Sequence, residues 1–407
     1  MKKRDNGLDL LRILCMLMVV SLHYYGHGWL IGGQLADGSP NWFLGNLLYP
    51  FSLVAVNCFV LLSGYFQCGS RFKLKRVVST WVQVAVYSVG LYVVVKLLLG
   101  GLSVMELVKT ALPVITKQYW FVTAYLLMYM VSPFLNCGIA AMGKRLHFMC
   151  CCVLLGIFSV AHNLAYIYDF GDVDGGYTFL WFCILYIVAA YIRLYVPVEP
   201  KHRKWGLLVY GVCALGVGVA RFVAHYATTA ILGHPMLTSF FYSYNSILVV
   251  PASIGLFMAM RTVKVEGKTG KLIGFFAPLA FGVYLIHDHP AVRPALWSIL
   301  KPYAFAGSVW MVPYGIVCAA GIFLVCCGVE WVRQKLFALL GIQKWLDRIC
   351  DRIQGKFSPT ESLRPTPHGP PWGVSFRCFS TFRCRNVDGM SLHDPPFCGM
   401  LMEKDRP

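Results

Sequence analysis

The sequence predicts an all-α fold, a polytopic bundle of about ten membrane-spanning helices. Three observations lead there. Of the 407 residues 57% are hydrophobic and only 13% charged, where a soluble domain usually carries about 25% charged residues. Mean hydropathy is +0.61. Long apolar stretches alternate with short loops that differ sharply in Lys and Arg content. Such a composition excludes a disordered, fibrous or ordinary soluble globular protein.

A spanning helix needs about 20 mostly apolar residues. Ten stretches qualify: 8–25, 44–66, 77–99, 119–136, 147–163, 178–195, 205–223, 241–260, 273–290 and 309–332. The first is not read as a cleaved signal peptide. It carries Asp9 and Arg12 at its start, and no small-residue cleavage site follows it. With the N-terminus placed in the cytoplasm, sixteen Lys and Arg residues fall on the inner side and five on the outer side, Arg221 at the outer end of its span among them. That bias matches the positive-inside rule and puts both termini in the cytoplasm. Residues 334–353 combine apolar positions at helical spacing with several bases, so they predict an amphipathic helix on the inner membrane surface. Residues 354–407 are rich in Pro, Ser, Arg and Cys without periodicity, which predicts a disordered tail. The membrane domain is then 1–333.

The net charge of +18 does not point to nucleic acid, because no basic segment interleaved with aromatics lies in a soluble domain. The sixteen cysteines contain no C-x-x-C pair and fall mostly in apolar runs, so they read as small buried hydrophobes rather than a metal or redox site. The acidic stretch 169–176 lacks the length and closing Glu of a calcium loop and reads as a solvated outer loop.

Ionisable residues inside a span are costly and mark function by default. The first span holds Asp9, Arg12 and His23. His23 follows Arg12 by eleven positions, a rotation 20° past three full turns. The two therefore share one helix face, roughly 16 Å apart along the axis. Asp9 and Arg12 are spaced to pair. Both Arg12 and His23 sit near span ends, where headgroup contacts account for them equally well.

The string Gly7-Leu8-Asp9-Leu10-Leu11-Arg12 through His23 resembles the opening motif of the acyltransferase-3 family, polytopic membrane acyltransferases that modify bacterial surface glycans. Asn57–Tyr65, Tyr119-Trp120-Phe121 through Ser132-Pro133-Phe134, and Phe281–His287 resemble three later motifs of that family, in the same order. Two departures stand out. The family's Arg-x-x-Arg in the loop after the second span is Lys73-x-x-Arg76 here, which keeps charge but loses bidentate recognition at position 73. No SGNH-type esterase domain is appended, so the resemblance is to the stand-alone members.

The resemblance implies transfer of an acyl group, acetyl foremost, from cytoplasmic acyl-CoA to a hydroxyl of a cell-envelope polysaccharide or lipid-linked glycan. It implies location in the bacterial inner membrane among lipids, with no metal and no nucleic-acid partner. Arg71, Lys73 and Arg76 are then candidates for the CoA phosphates, although topology alone also explains loop bases. His23 is the first candidate for catalytic base or acyl carrier and His287 the second, because imidazole titrates near working pH. Arg12 suits electrostatic stabilisation. Asp9, Ser63, Trp120 and Tyr284 are expected in structural or substrate-path roles. A secondary transporter and a non-catalytic envelope-assembly protein are the competing classes, since buried Arg and His fit those too.

Overall fold

The computed structural model describes residues 5–164 and 174–357, and every regular element among them is helical. Lys2, Lys3, Arg4, most of the acidic 169–176 stretch and the tail beyond 357 lie outside the described residues. Eight helices are long and apolar enough to cross a membrane, and two shorter apolar ones accompany them. Together they fall on the ten expected stretches, so the chain is an all-α multi-pass membrane protein.

α1 (Asn6–Gly26) opens behind Asp5, whose carboxylate accepts the Leu8 amide. α2 (Pro40–Gln67) opens behind Ser39, with Pro40 at the first helical position, where a missing N–H costs nothing. α3 (Leu74–Leu99), the short α4 (Val104–Ala111), α5 (Trp120–Ala141) and α6 (Lys144–Leu155) follow. A π-turn joins α6 to the one-turn α7 (His162–Leu164). Then come α8 (Phe179–Tyr195), α9 (Lys201–Leu232), α10 (Val249–Met260), α11 (Gly267–Phe276), α12 (Ala280–His287), α13 (Val292–Leu300), α14 (Met311–Leu339) and α15 (Ile342–Phe357).

α2 is the axis of the bundle and packs against α1, α8, α9 and α10, while α1 also packs on α12 and α14. Without a hydrophobic drive between helices in lipid, small residues at crossings supply close van der Waals contact. Gly64 shows this directly. A Cβ there would lie 2.9 Å from both the Ala189 Cβ and the Tyr186 Cα of α8.

The structure moves three boundaries. Residues 241–248 are not helical, and α10 begins only at Val249. Here the chain satisfies its polar groups by tertiary bonds. The Tyr244 amide donates to the Gly175 carbonyl at 2.8 Å, the Ile247 amide to Asn163 at 2.6 Å, and the Asn245 amide group to the Phe158 carbonyl at 2.9 Å. Non-helical backbone at membrane depth persists only when protein buries it, and Asn245 and Ser246 are fully buried. The long α14 runs on through residues 334–339, because Arg333 and Gln334 reach back to Glu330 on the same helix. The surface helix therefore starts at Ile342, after Gly341 in the left-handed region at φ 65°. It ends at Phe357 rather than 353.

Candidate active site

A cavity of about 610 Å³ runs beside α1 and is lined by Arg12, His23, Ser63, Trp120 and Tyr284. Five of the residues singled out in the sequence thus share one wall. The geometry explains why α1 carries them. Its outward-facing side is lipid or protein packing, and the face bearing Arg12 and His23 at a spacing of eleven borders the cavity at both depths. Asp9, nearly fully buried, pairs with Arg12 one turn away, and the Arg12 guanidinium also lies 5.3 Å over the Phe66 ring.

His23 and His287 meet side chain to side chain. Nδ1 of His23 is 2.9 Å from Nε2 of His287. Nδ1 of His287 is 2.6 Å from the Val283 carbonyl. A carbonyl only accepts, so that nitrogen carries hydrogen; with both rings neutral, Nε2 of His287 then accepts from Nδ1 of His23. The hydrogen bonds leave Nε2 of His23 with its lone pair. His23 lines the cavity, so this nitrogen is the one available to a substrate.

Charged groups gather at the same end. Asp288 lies 3.7 Å from Nδ1 of His23 and 3.7 Å from Nε2 of His27, and Arg293 donates to it at 3.2 Å. His27, one turn beyond His23, stacks beside it with ring centroids 4.7 Å apart. Ligand atoms of His23, His27 and Asp288 lie within 4.8 Å of one another, as a metal site needs. Arg293, however, places a fixed positive charge on the shared carboxylate, and His287 engages His23. Both contacts compete with a cation for the same ligand atoms.

Two contacts fix the helix end that carries His287. The Tyr119 hydroxyl donates to the Leu285 carbonyl at 2.9 Å, and His289 Nε2 lies 3.0 Å from the Ser88 carbonyl. The Tyr284 hydroxyl, by contrast, is buried, finds no acceptor for its O–H among the described residues and borders the cavity. Above it Trp120 packs against Tyr177 and stacks with Tyr244, with centroids 4.5 and 5.9 Å apart. Trp120 therefore faces the cavity rather than only a lipid interface.

The expected donor cations behave differently. Arg71, Lys73 and Arg76 are not in the cavity wall. Arg76 stacks 5.3 Å over Tyr129, whose hydroxyl accepts the Lys73 amide at 3.1 Å. The loop is held against α5, below the cavity rather than in it. Sequence reasoning missed His27, Arg293 and the tyrosines 49, 177 and 244 in the wall. His27 was readable, four residues after His23 on the same face; the others sit on segments with no motif.

The fold and the cavity define a polytopic membrane protein with a bonded histidine pair at its candidate site. Its class follows from comparison with known families. The acyltransferase-3 family model, described as an acyltransferase domain, matches residues 5–331. The chain belongs to that family and is a membrane acyltransferase. No curated protein and no solved structure matches it.

Proposed function

We propose that this protein moves an acyl group, acetyl foremost, from cytoplasmic acyl-CoA to a hydroxyl of a cell-envelope polysaccharide or a lipid-linked glycan, in the bacterial inner membrane with both termini cytoplasmic. The observation that carries the reading is the bonded His23–His287 pair at one end of a cavity that has Arg12 towards the other. Acyl-CoA is made inside and envelope glycans lie outside, so the reaction needs a polar path of that kind.

In this mechanism the thioester arm enters from the Arg12 end, with the phosphates held on Arg71, Lys73 and Arg76 below. The acceptor sugar enters from the aromatic end and rests on Trp120. Nε2 of His23 takes the hydroxyl proton as the oxygen attacks the thioester carbonyl. The carbonyl oxygen gains the negative charge, and the Tyr284 hydroxyl, without an acceptor among the described residues, donates to it. Collapse expels the CoA thiolate, and His23 returns the proton to that sulfur. His287 holds the His23 tautomer throughout, and Asp288 favours its transient positive charge. An aromatic wall suits a sugar ring, whose C–H faces pack on aromatic surfaces while its hydroxyls stay free for the base.

Purified protein in lipid, supplied with radiolabelled acetyl-CoA and an envelope glycan fraction, tests the proposal. Wild type is expected to release CoA and label the glycan, and His23→Ala and Arg12→Ala to lose both while still inserting. Well-folded wild type that consumes no acyl-CoA of any chain length would overturn it and leave transport as the next reading.

A further inference from the structure

Where α2, α8 and α10 finish, two guanidinium groups converge on one phenol. Arg193 lies 4.9 Å over the Tyr65 ring and donates to its hydroxyl at 3.0 Å. Arg261 lies 5.1 Å over the same ring. Arg193 is exposed, whereas Arg261 is only 7% exposed.

The surroundings of Arg261 do not match its charge. One Nη donates to the Val196 carbonyl at 2.9 Å and the other contacts the Met258 sulfur. Its Nε–H is buried with no hydrogen-bond partner among the described residues. Among the described residues no carboxylate pairs with it. Side chains this deeply buried are almost always paired when charged, and an orphaned buried donor calls for an explanation. Topology does not supply one. The positive-inside rule asks for bases in loops, not for a guanidinium withdrawn from water and packed on the same tyrosine ring as a second one.

The neighbourhood carries positive charge as well. Lys144 and Arg145 open α6, Lys201, Arg203 and Lys204 open α9, and Lys264 follows α10, all at this end of the bundle. Their summed field attracts anions. Tyr65, Arg193 and Arg261 are absent from the wall of the catalytic cavity.

We propose that Tyr65, Arg193 and Arg261 form a phosphate-binding site separate from the catalytic cavity. Planar guanidinium groups match a tetrahedral phosphate by charge-assisted, fork-shaped hydrogen bonding. Arg261 supplies a fixed, buried positive charge, and exposed Arg193 supplies the entrance. The phosphate comes from one of two sources with the same chemistry, the headgroup of a net-anionic phospholipid in the adjoining leaflet, whose phosphate is not neutralised by a choline, or a soluble phosphorylated ligand.

Thermal unfolding of the full chain in nanodiscs separates these sources. Three conditions are compared at equal ionic strength: pure phosphatidylcholine, phosphatidylcholine with phosphatidylglycerol, and pure phosphatidylcholine with inorganic phosphate in place of chloride. The expected result is a rise in unfolding midpoint on the order of 3 °C in one or both of the latter two conditions, relative to pure phosphatidylcholine. Arg261→Gln and Arg193→Gln should each abolish it. A rise with phosphatidylglycerol alone assigns the lipid, and a rise with inorganic phosphate assigns the soluble source. Arg193 is exposed, so its variant remains informative if Arg261→Gln fails to insert. No rise in wild type, or the same rise in a well-inserted Arg193→Gln variant, overturns the proposal.

Discussion

Glu330 offers a sharp test of how charge is held inside this bundle. It is fully buried on α14, yet its two carboxylate oxygens are saturated. Tyr87 donates at 2.7 Å and Gln83 at 3.2 Å from α3, Gln334 at 2.8 Å, and Arg333 donates twice, at 2.8 and 2.6 Å. The same side chain presses on α12, where a Cβ added at Gly282 would lie 2.7 Å from it. Glu330→Gln keeps the volume and removes the charge. It leaves the Arg333 guanidinium, only 16% exposed, without its counter-ion. Removing one partner of a buried pair costs about 3–5 kcal/mol. Arg333 retains a little solvent contact and Gln retains one acceptor, so we expect the low end, about 3 kcal/mol. At roughly 2 °C per kcal/mol for a chain of this size, the unfolding midpoint should fall by about 6 °C. The assay is thermal unfolding in nanodiscs, read by a thiol-reactive dye as the buried cysteines become accessible. Glu330→Gln combined with Arg333→Met should recover much of the loss, because the uncompensated charge is then gone. A single variant as stable as wild type, or a double variant worse than the single, would refute the reasoning.

Three further outcomes are expected. Tyr284→Phe removes only the hydroxyl, so turnover should fall by about 100-fold with KM for acyl-CoA unchanged; equal turnover would remove Tyr284 from the reaction. Gly64→Ala drives a methyl into the Tyr186 and Ala189 backbone region of α8, at about 2 kcal/mol of overpacking strain, and should lower the unfolding midpoint more than Gly90→Ala, where nothing lies within 4 Å. Lys75 bonds Asp347 at 2.6 Å and holds its carboxyl below the usual range. The lowered value means this pair supports the docking of α15 at neutral pH and loses that support as acid protonates Asp347, below about pH 4. Hydrogen exchange of α15, corrected for intrinsic rate, should therefore quicken on acidification and be quick already at pH 7 in Asp347→Asn. A flat profile would show that other contacts dock the helix.

The helix content, the approximate place of each span and the residues of α1 that face the cavity were readable without coordinates. Apolar length and helical period are local properties, and a membrane permits few structures that satisfy the backbone. The face shared by Arg12 and His23 follows from 3.6 residues per turn alone. What the sequence could not contain is the pairing across 264 residues that puts His287 on the inner nitrogen of His23. Nor could it contain the seat of Glu330 against Gly282, the capture of 241–248 by Asn163 and Phe158, or the convergence of Arg193 and Arg261 on Tyr65. Each of these depends on which helices cross and at what depth, and that is decided by side chains fitting one another across the whole bundle.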